Sequence, residues 1–171
     1  AVQKMLRLEN AVLVAAPGSG KTIMGLHIIQ KHHLPALILV NRKQIFDQWI
    51  AQIQKCFHIP NARIGRIGGS GKTTSRKVTV AMVQTFSKRL ATNPQLSEQF
   101  GTIIIDECHH VLANTYTTVL NSLKCKYRYG LTATTKRKYH HDNLLFSVLG
   151  PPVFFESDET KAKPYISTIV K

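Results

Sequence analysis

The sequence predicts an α/β fold, a mostly parallel β-sheet with helices on both faces, and three observations carry that reading. Short apolar runs alternate with helix-period segments along the chain, as strands joined by crossover helices do. A glycine-bearing turn separates the first apolar run from the first helical segment. Later in the chain, a β-branched run ends abruptly in two carboxylates.

The first strand is predicted at Ala11 to Ala16. After the turn, Ile23, Leu26 and Ile29 recur at helical spacing, and Pro35 closes that segment before a second strand at Ala36 to Val40, which completes one βαβ unit. Ile45, Phe46, Trp49, Ile50 and Ile53 form one stripe of a second helix, which assigns Trp49 to the core rather than to a ligand. Further strands are predicted at Val78 to Val83, Thr102 to Ile105 and Tyr127 to Leu131, with a helix carrying Tyr116, Val119, Leu120 and Leu123 between the last two. A short helix around Asn143 to Leu149 and a strand at Val153 to Phe155 follow. No internal repeat or low-complexity linker interrupts the pattern, and 171 residues suit one core, so 1–171 is read as a single domain.

Composition narrows the partners. Hydrophobic residues make up 43% of the chain, no apolar run approaches the roughly 18 residues that cross a bilayer, and no charged-then-apolar leader opens it. A cytoplasmic protein without a membrane partner is expected, with the nucleoid or nucleus as other locations. Cys56, Cys108 and Cys125 are odd in number and lack C-x-x-C spacing, which argues against a disulfide framework or a zinc ribbon. Lysine and arginine outnumber aspartate and glutamate 23 to 9, a net charge of +14 that points to a polyanion or to a solvated basic surface. The basic residues cluster at Arg76-Lys77, Lys88-Arg89, Lys124 to Arg128 and Lys136 to Lys138, so several separate loops have phosphate-binding character.

Ala15-Ala16-Pro17-Gly18-Ser19-Gly20-Lys21-Thr22 fits the A/G-x-x-x-x-G-K-T phosphate loop, placed between a buried strand and a helix as the mechanism requires. Its glycines let backbone N–H groups close around phosphate oxygens at a helix N-terminus. Lys21 then reaches the β and γ phosphates of ATP, and the Thr22 hydroxyl ligates Mg2+. Gly68-Gly69-Ser70-Gly71-Lys72-Thr73 imitates that pattern but reads as a decoy. Arg66 stands where Ala or Gly belongs, no buried strand is seen leading in, and a strand rather than a helix follows. A mobile basic loop is expected there.

Thr102-Ile103-Ile104-Ile105 ends in Asp106-Glu107-Cys108-His109-His110, which puts two carboxylates at the carboxyl edge of a buried strand, where ligands of open α/β sheets bind. Asp106 suits the magnesium shell, and Glu107 suits orienting and deprotonating an attacking water. A kinase has no use for such a glutamate, so the pair favours hydrolysis. Three consecutive residues rarely converge on one ion, which weighs against reading Cys108, His109 and His110 as a zinc site.

With these residues in hand, the chain resembles the first RecA-like domain of superfamily-two helicases and translocases over nearly all of its length. Ala16 to Thr22 is similar to motif I, Asp106-Glu107-Cys108-His109 to a DExH motif II, and Thr132-Ala133-Thr134 to motif III. Leu39-Val40-Asn41-Arg42 with Gln48-Trp49 is similar to motif Ia, and Thr79 to Thr85 to the segment that the family places against the nucleic-acid backbone. Gly130 to Thr134, Arg137 and Leu149-Gly150-Pro151 look most like the branch of restriction-enzyme motor subunits and repair-type DNA translocases, and less like DEAD-box RNA helicases.

The resemblance implies a RecA-like P-loop fold, with Pro17, Gly18, Ser19, Gly20, Lys21 and Thr22 around the nucleotide and Thr22 and Asp106 on the metal. It implies that His109, Thr132 and Thr134 link the nucleotide site to movement between two domains, and that Arg42, Gln84 and Thr85 lie along a nucleic acid, with DNA favoured over RNA. Strand capping or solvent exposure for Arg42 and turn formation for Gln84 and Thr85 are the competing readings. Thr135 stands where the branch usually has proline, and Tyr139-His140 where an acidic residue and glycine are common, which leaves that loop without an assigned role. The glutamine segment that reads adenine and the second RecA-like domain, with its arginine finger, are expected to lie outside these residues. A finger contributes about 10³ to 10⁵ in rate in phosphate-loop enzymes, so these residues alone are expected to bind ATP and scarcely hydrolyse it. Two rivals stay open: an ATP-gated nucleic-acid-binding module that does not move along a strand, and a phosphate-loop kinase or ATPase indifferent to nucleic acid.

Overall fold

The computed structural model describes residues 1–69, 71–75, 77–110, 114–133 and 145–155. In chain order these form α1 (Val2–Met5), β1 (Asn10–Ala15), α2 (Lys21–His32), β2 (Ala36–Val40), α3 (Lys43–Phe57), β3 (Gly65–Gly68), β4 (Gly71–Thr73), β5 (Val78–Met82), α4 (Val83–Thr92), β6 (Thr102–Ile105), α5 (Asn114–Ser122), β7 (Tyr127–Thr132) and β8 (Pro152–Phe155). Residues 145–149 are helical. The strands make one eight-stranded sheet in the order β4-β3-β5-β2-β6-β7-β1-β8, and only β4 runs antiparallel to its neighbour.

Central strands of a parallel sheet are covered on both faces and so read as continuous apolar runs. β2 is buried throughout, and its residues divide by period two between two cores. Ile38 and Val40 face one side with Ala11, Leu13 and Ala15 of β1; Leu37 and Leu39 face the other with Val12 and Val14. The first face is covered by α1, α2 and α3 through Met5, Leu26, Ile29, Trp49 and Ile53. The second is covered by α4 and α5 through Phe86, Leu90, Tyr116, Val119 and Leu120, joined by Leu145 and Leu149. Burying one such side chain is worth about 1.5 to 3 kcal/mol, so these stripes fix each helix to its face.

The fold is the α/β sandwich that the alternation predicts, with four differences in detail. α4 has no counterpart in the sequence reading: β5 ends at Met82 and the helix starts at once on Val83, without a glycine or proline to mark the change. The glycine-rich stretch is a β-hairpin, not a loop. Ile64 and Ile67 are buried, and Gly65 to Ile67 pair in parallel with β5. At the end of β3, Gly68 lies at φ 149° and Gly69 at φ 57°, conformations that a side chain rarely adopts. A strand therefore does lead into the decoy motif, although no helix follows it. Within α2, the predicted stripe shifts: Gly25, Leu26, Ile28 and Ile29 are buried, while Ile23 is 49% exposed.

Candidate nucleotide site

The parallel order brings five strand ends to one edge in the sequence β5-β2-β6-β7-β1. From one side to the other, that edge carries Gln84 and Thr85 in the first turn of α4, Arg42 before α3, Asp106 and Glu107 after β6, Thr132 at the end of β7, and the loop 16–20 after β1. Residues far apart in sequence become neighbours because the crossover from β1 to β2 skips two strand positions, which β7 and β6 later fill. Thr134 lies outside the described residues, as do Thr135, Arg137, Tyr139 and His140.

The loop has the conformation that phosphate binding needs. Gly18 and Gly20 sit at φ 75° and 81°, in the left-handed region, and a Cβ at either would meet nothing within 4 Å. Gly20 caps α2 with no side-chain hydrogen bond, so the first turn of the helix offers its N–H dipoles to an anion. Ser19 Oγ is buried without a hydrogen-bond partner, an orphaned donor inside the loop. These features fit a phosphate chain. Lys21 folds back, and its Nζ donates to the carbonyls of Ala15 at 3.0 Å and Ala16 at 2.9 Å. Burial lowers its pKa, while Glu107 and then Asp106 oppose the shift, so the loop lysine and the acidic pair already feel each other's charge. Pro17 is exposed and Thr22 half-buried at the mouth of the site.

Asp106 is buried, and each carboxylate oxygen accepts one hydrogen bond: Oδ1 from the Glu107 backbone N–H at 2.9 Å and Oδ2 from the indole Nε1 of Trp49 at 2.8 Å. Burial raises its pKa against the opposing effects of those donors and of Lys21. Such a carboxyl, short of positive charge, is chemically suited to a divalent cation. Glu107 has φ 51°, an uncommon left-handed conformation for a residue with a side chain, and strain of that kind concentrates at functional sites. The twist turns the chain at once into the single turn Cys108–His110.

His109 Nδ1 lies 3.2 Å from Thr132 Oγ1 and 3.3 Å from Glu107 Oε2, so motif II and motif III residues meet. Burial, then His110, lowers the His109 pKa, and Arg42 adds to the shift from the neighbouring strand end. Arg42 is thus within electrostatic reach of the acidic turn, whereas Gln84 and Thr85 stand one strand further along. Two residues were missed as parts of the site. Trp49 belongs to the core, as its stripe predicts, yet its indole also holds Asp106; the available signal was that a buried indole N–H needs an acceptor. Asn41 Oδ1 is buried without a partner directly after β2, and only its place in the motif drew notice.

Residues 2–137 match the family described as "Type III restriction enzyme, res subunit". The chain is 33% identical over 151 residues to "Probable helicase D10" of Escherichia phage T5, an alignment that covers 85% of this chain and 32% of that protein. It is 30% identical over 167 residues to "DNA 3'-5' translocase XPB2" of Sulfurisphaera tokodaii, covering 98% of this chain and 36% of the relative. The chain therefore spans about a third of the length of these curated relatives. Among solved structures, the UvsW helicase of bacteriophage T4 superimposes with a TM-score of 0.76 at 19% identity, over 91% of this chain and 57% of UvsW. The Hef helicase domain of Pyrococcus furiosus gives 0.77 at 20% identity, over 94% of this chain and 38% of Hef. At such identities the structural likeness speaks for the fold alone, a RecA-like one. The loop after β1, the acidic pair after β6 and the family match over residues 2–137 together place this chain in the type III restriction enzyme res subunit family, as a superfamily-two helicase motor domain with repair-type and restriction-type relatives.

Proposed function

We propose that residues 1–171 act as one ATP- and Mg2+-binding domain, the first of two motor domains in a protein that hydrolyses ATP while moving along nucleic acid, with DNA as the favoured track. The observation that carries this reading is the convergence of Lys21 with Asp106 and Glu107 at one sheet edge, beside a helix start that no side chain caps. In this reading, Pro17, Gly18, Ser19 and Gly20 wrap the phosphates with backbone N–H groups, and Lys21 leaves the Ala15 and Ala16 carbonyls for the β and γ phosphates. Thr22 and Asp106 hold the cation. Mg2+, when bound, neutralises charge on the phosphate oxygens. A Glu107 carboxylate oxygen orients water and takes its proton. His109, Thr132 and Thr134 relay the state of the site to a second RecA-like domain of the same polypeptide, and Arg42, Gln84 and Thr85 contact the strand, mostly through phosphate.

DNA is favoured because relatives carry names such as "DNA 3'-5' translocase XPB2" and because a structural neighbour, the SWI2/SNF2 ATPase core of Sulfolobus solfataricus, was solved with double-stranded DNA. The net charge of +14 suits such a polyanion. Calorimetry with ATP, with and without Mg2+, tests the binding claim on this chain, and ATPase and translocation assays with DNA and RNA on the full-length protein test the rest. Binding that ignores Mg2+, or hydrolysis that ignores both nucleic acids, would overturn it. ATP-controlled DNA binding without translocation would leave a gated module instead of a motor. Feeble hydrolysis by residues 1–171 alone is expected, since an arginine finger from a second domain is needed for full rate.

A further inference from the structure

Trp49 lies in the middle of α3, 1% exposed, with its Nε1 2.8 Å from Asp106 Oδ2. The other carboxylate oxygen, Oδ1, accepts from the Glu107 backbone N–H, so one bond on each oxygen fixes the plane of the group. The ring is fixed in turn. A Cβ built on Gly25 of α2 would lie 3.0 Å from the indole Cη2, which means that the helix leading from the phosphate loop packs directly on the indole edge. One ring thereby sets the spacing between the loop helix, α3 and the carboxyl end of β6.

The chemistry of the donor matters. An arginine or lysine in this place would orient Asp106 but cancel its charge. A neutral indole N–H orients the carboxylate and leaves its negative charge for a cation. Packing alone does not call for this residue: Ile50 and Ile53 fill the same stripe without a polar atom. Partners that hold a metal-ligating carboxylate in place are part of the site, and their loss costs about 10- to 100-fold in metal affinity or activity.

We infer that Trp49 is a positioning residue for the magnesium site, its indole N–H aiming the Asp106 carboxylate at the cation that accompanies the nucleotide. Trp49 is the single tryptophan of the chain, so its emission reports on the surroundings of this one indole, Asp106 among them. This inference rests on the nucleotide reading above.

The test replaces Trp49 with 3-benzothienylalanine, which keeps the bicyclic shape and has sulfur in place of N–H, with Trp49→Phe as a second variant. Thermal unfolding and Mg2+-free ADP binding report on packing, and calorimetric titration of Mg2+ into the ADP complex reports on the metal. The variants are expected to fold and to bind ADP without Mg2+ as the unsubstituted protein does, but to need about 10- to 100-fold more Mg2+. In the unsubstituted protein, tryptophan emission is expected to change when Mg2+ joins ADP. A folded, ADP-binding variant with unaltered Mg2+ dependence overturns the inference and leaves the nucleotide reading standing. Failure of the unsubstituted protein to bind nucleotide with Mg2+ overturns both. If neither variant folds, emission decides, with Mg2+ saturation of the ADP complex verified by calorimetry: an emission change on Mg2+ binding supports the role, and emission indifferent to bound Mg2+ rejects it.

Discussion

His109 Nδ1 and Thr132 Oγ1, 3.2 Å apart, join the turn after β6 to the end of β7 by a single hydrogen bond at the carboxyl edge of the sheet. Glu107 Oε2 competes for the same nitrogen at 3.3 Å. The ring nitrogen thus lies between a hydroxyl that it bonds and a carboxylate whose charge it feels. A change of charge at Glu107 therefore acts on the ring that bonds Thr132. The pair links the acidic turn after β6 to the end of β7.

Thr132→Val keeps the shape of the side chain and removes its oxygen. In the full-length protein this substitution is expected to leave ATP affinity unchanged and to weaken DNA stimulation of hydrolysis by about 5- to 150-fold, the usual range of a coupling between sites. ATPase rates with and without DNA measure it. Stimulation equal to that of the unsubstituted protein would remove His109 and Thr132 from the relay.

Lys21→Ala removes a cation that already lies within the field of Glu107 and Asp106. Hydrogen bonds to charged groups contribute about 1.5 to 3 kcal/mol, so ATP affinity is expected to fall by roughly 10- to 150-fold. Isothermal calorimetry on this chain reads the loss directly. The variant also frees the Ala15 and Ala16 carbonyls, so circular dichroism should accompany the titration to show that β1 and α2 persist.

Glu107→Gln keeps volume and the strained backbone position but removes the proton acceptor. In the full-length protein, ATP binding is expected to survive and steady hydrolysis to fall by about 10² to 10⁴, the contribution of a general base. Undiminished turnover would reassign the base.

How much of this was legible in sequence depends on how local each feature is. Ala36–Val40 and Thr102–Ile105 stand at their predicted limits because a strand buried on both faces is a bare apolar run with sharp polar ends. The loop between β1 and α2 was legible for a related reason, its glycines and lysine being contiguous. α4 was not, because Met82 and Val83 pass from strand to helix without punctuation, and the apolar spacing of Val83, Phe86 and Leu90 begins inside the predicted strand. The hairpin was hidden by glycines, which carry no pattern. Trp49 and Asp106 meet across 57 positions of chain, and only the fold reveals that the acceptor required by the indole is the strand-end aspartate. The His109–Thr132 contact is equally non-local, although the family resemblance had already placed both residues in one role.

Stability is expected to decline on acidification. His32 Nε2 lies 2.9 Å from Tyr129 Oη, whose own proton goes to the Leu8 carbonyl at 2.8 Å, so Nε2–H donates to the tyrosine. Burial, then Lys126, holds the His32 pKa below its ordinary 6.5, and burial with His110 does the same for His109. For a depressed imidazole, the stabilising contribution is whole above the unfolded value and is lost as pH falls through the folded one, because the unfolded chain takes up the proton first. Asp106, raised by burial, acts with the opposite sign, at pH values between its folded pKa and 3.8. Comparing His32→Gln with the unsubstituted protein isolates one imidazole. Unfolding temperatures measured from about pH 8 to 5 should fall below the ordinary histidine value of about 6.5, and less steeply in His32→Gln. A parallel decline in both proteins would show that His32 titrates normally.

Gly130 of β7 shows how tightly the acidic turn is seated. A Cβ there would stand 2.7 Å from Cys108 Sγ, 3.1 Å from Cys108 Cβ and 3.0 Å from Leu149 Cδ1, all of them fully buried neighbours. Gly130→Ala therefore forces Cys108 to move, and Cys108 is bonded in sequence to Glu107, whose backbone is already left-handed at φ 51°. Overpacking of a core costs about 1 to 3 kcal/mol, and that loss is expected in chemical denaturation of Gly130→Ala. Cys108→Ala removes the nearest atom and should recover part of the loss in the double variant, so the two substitutions will not add. ATPase measurements on the same pair in the full-length protein should follow the same pattern, because what shifts is the turn that carries Glu107 and His109. Strict additivity of the two stability changes would mean that the sheet takes up the methyl group elsewhere, leaving the turn in place.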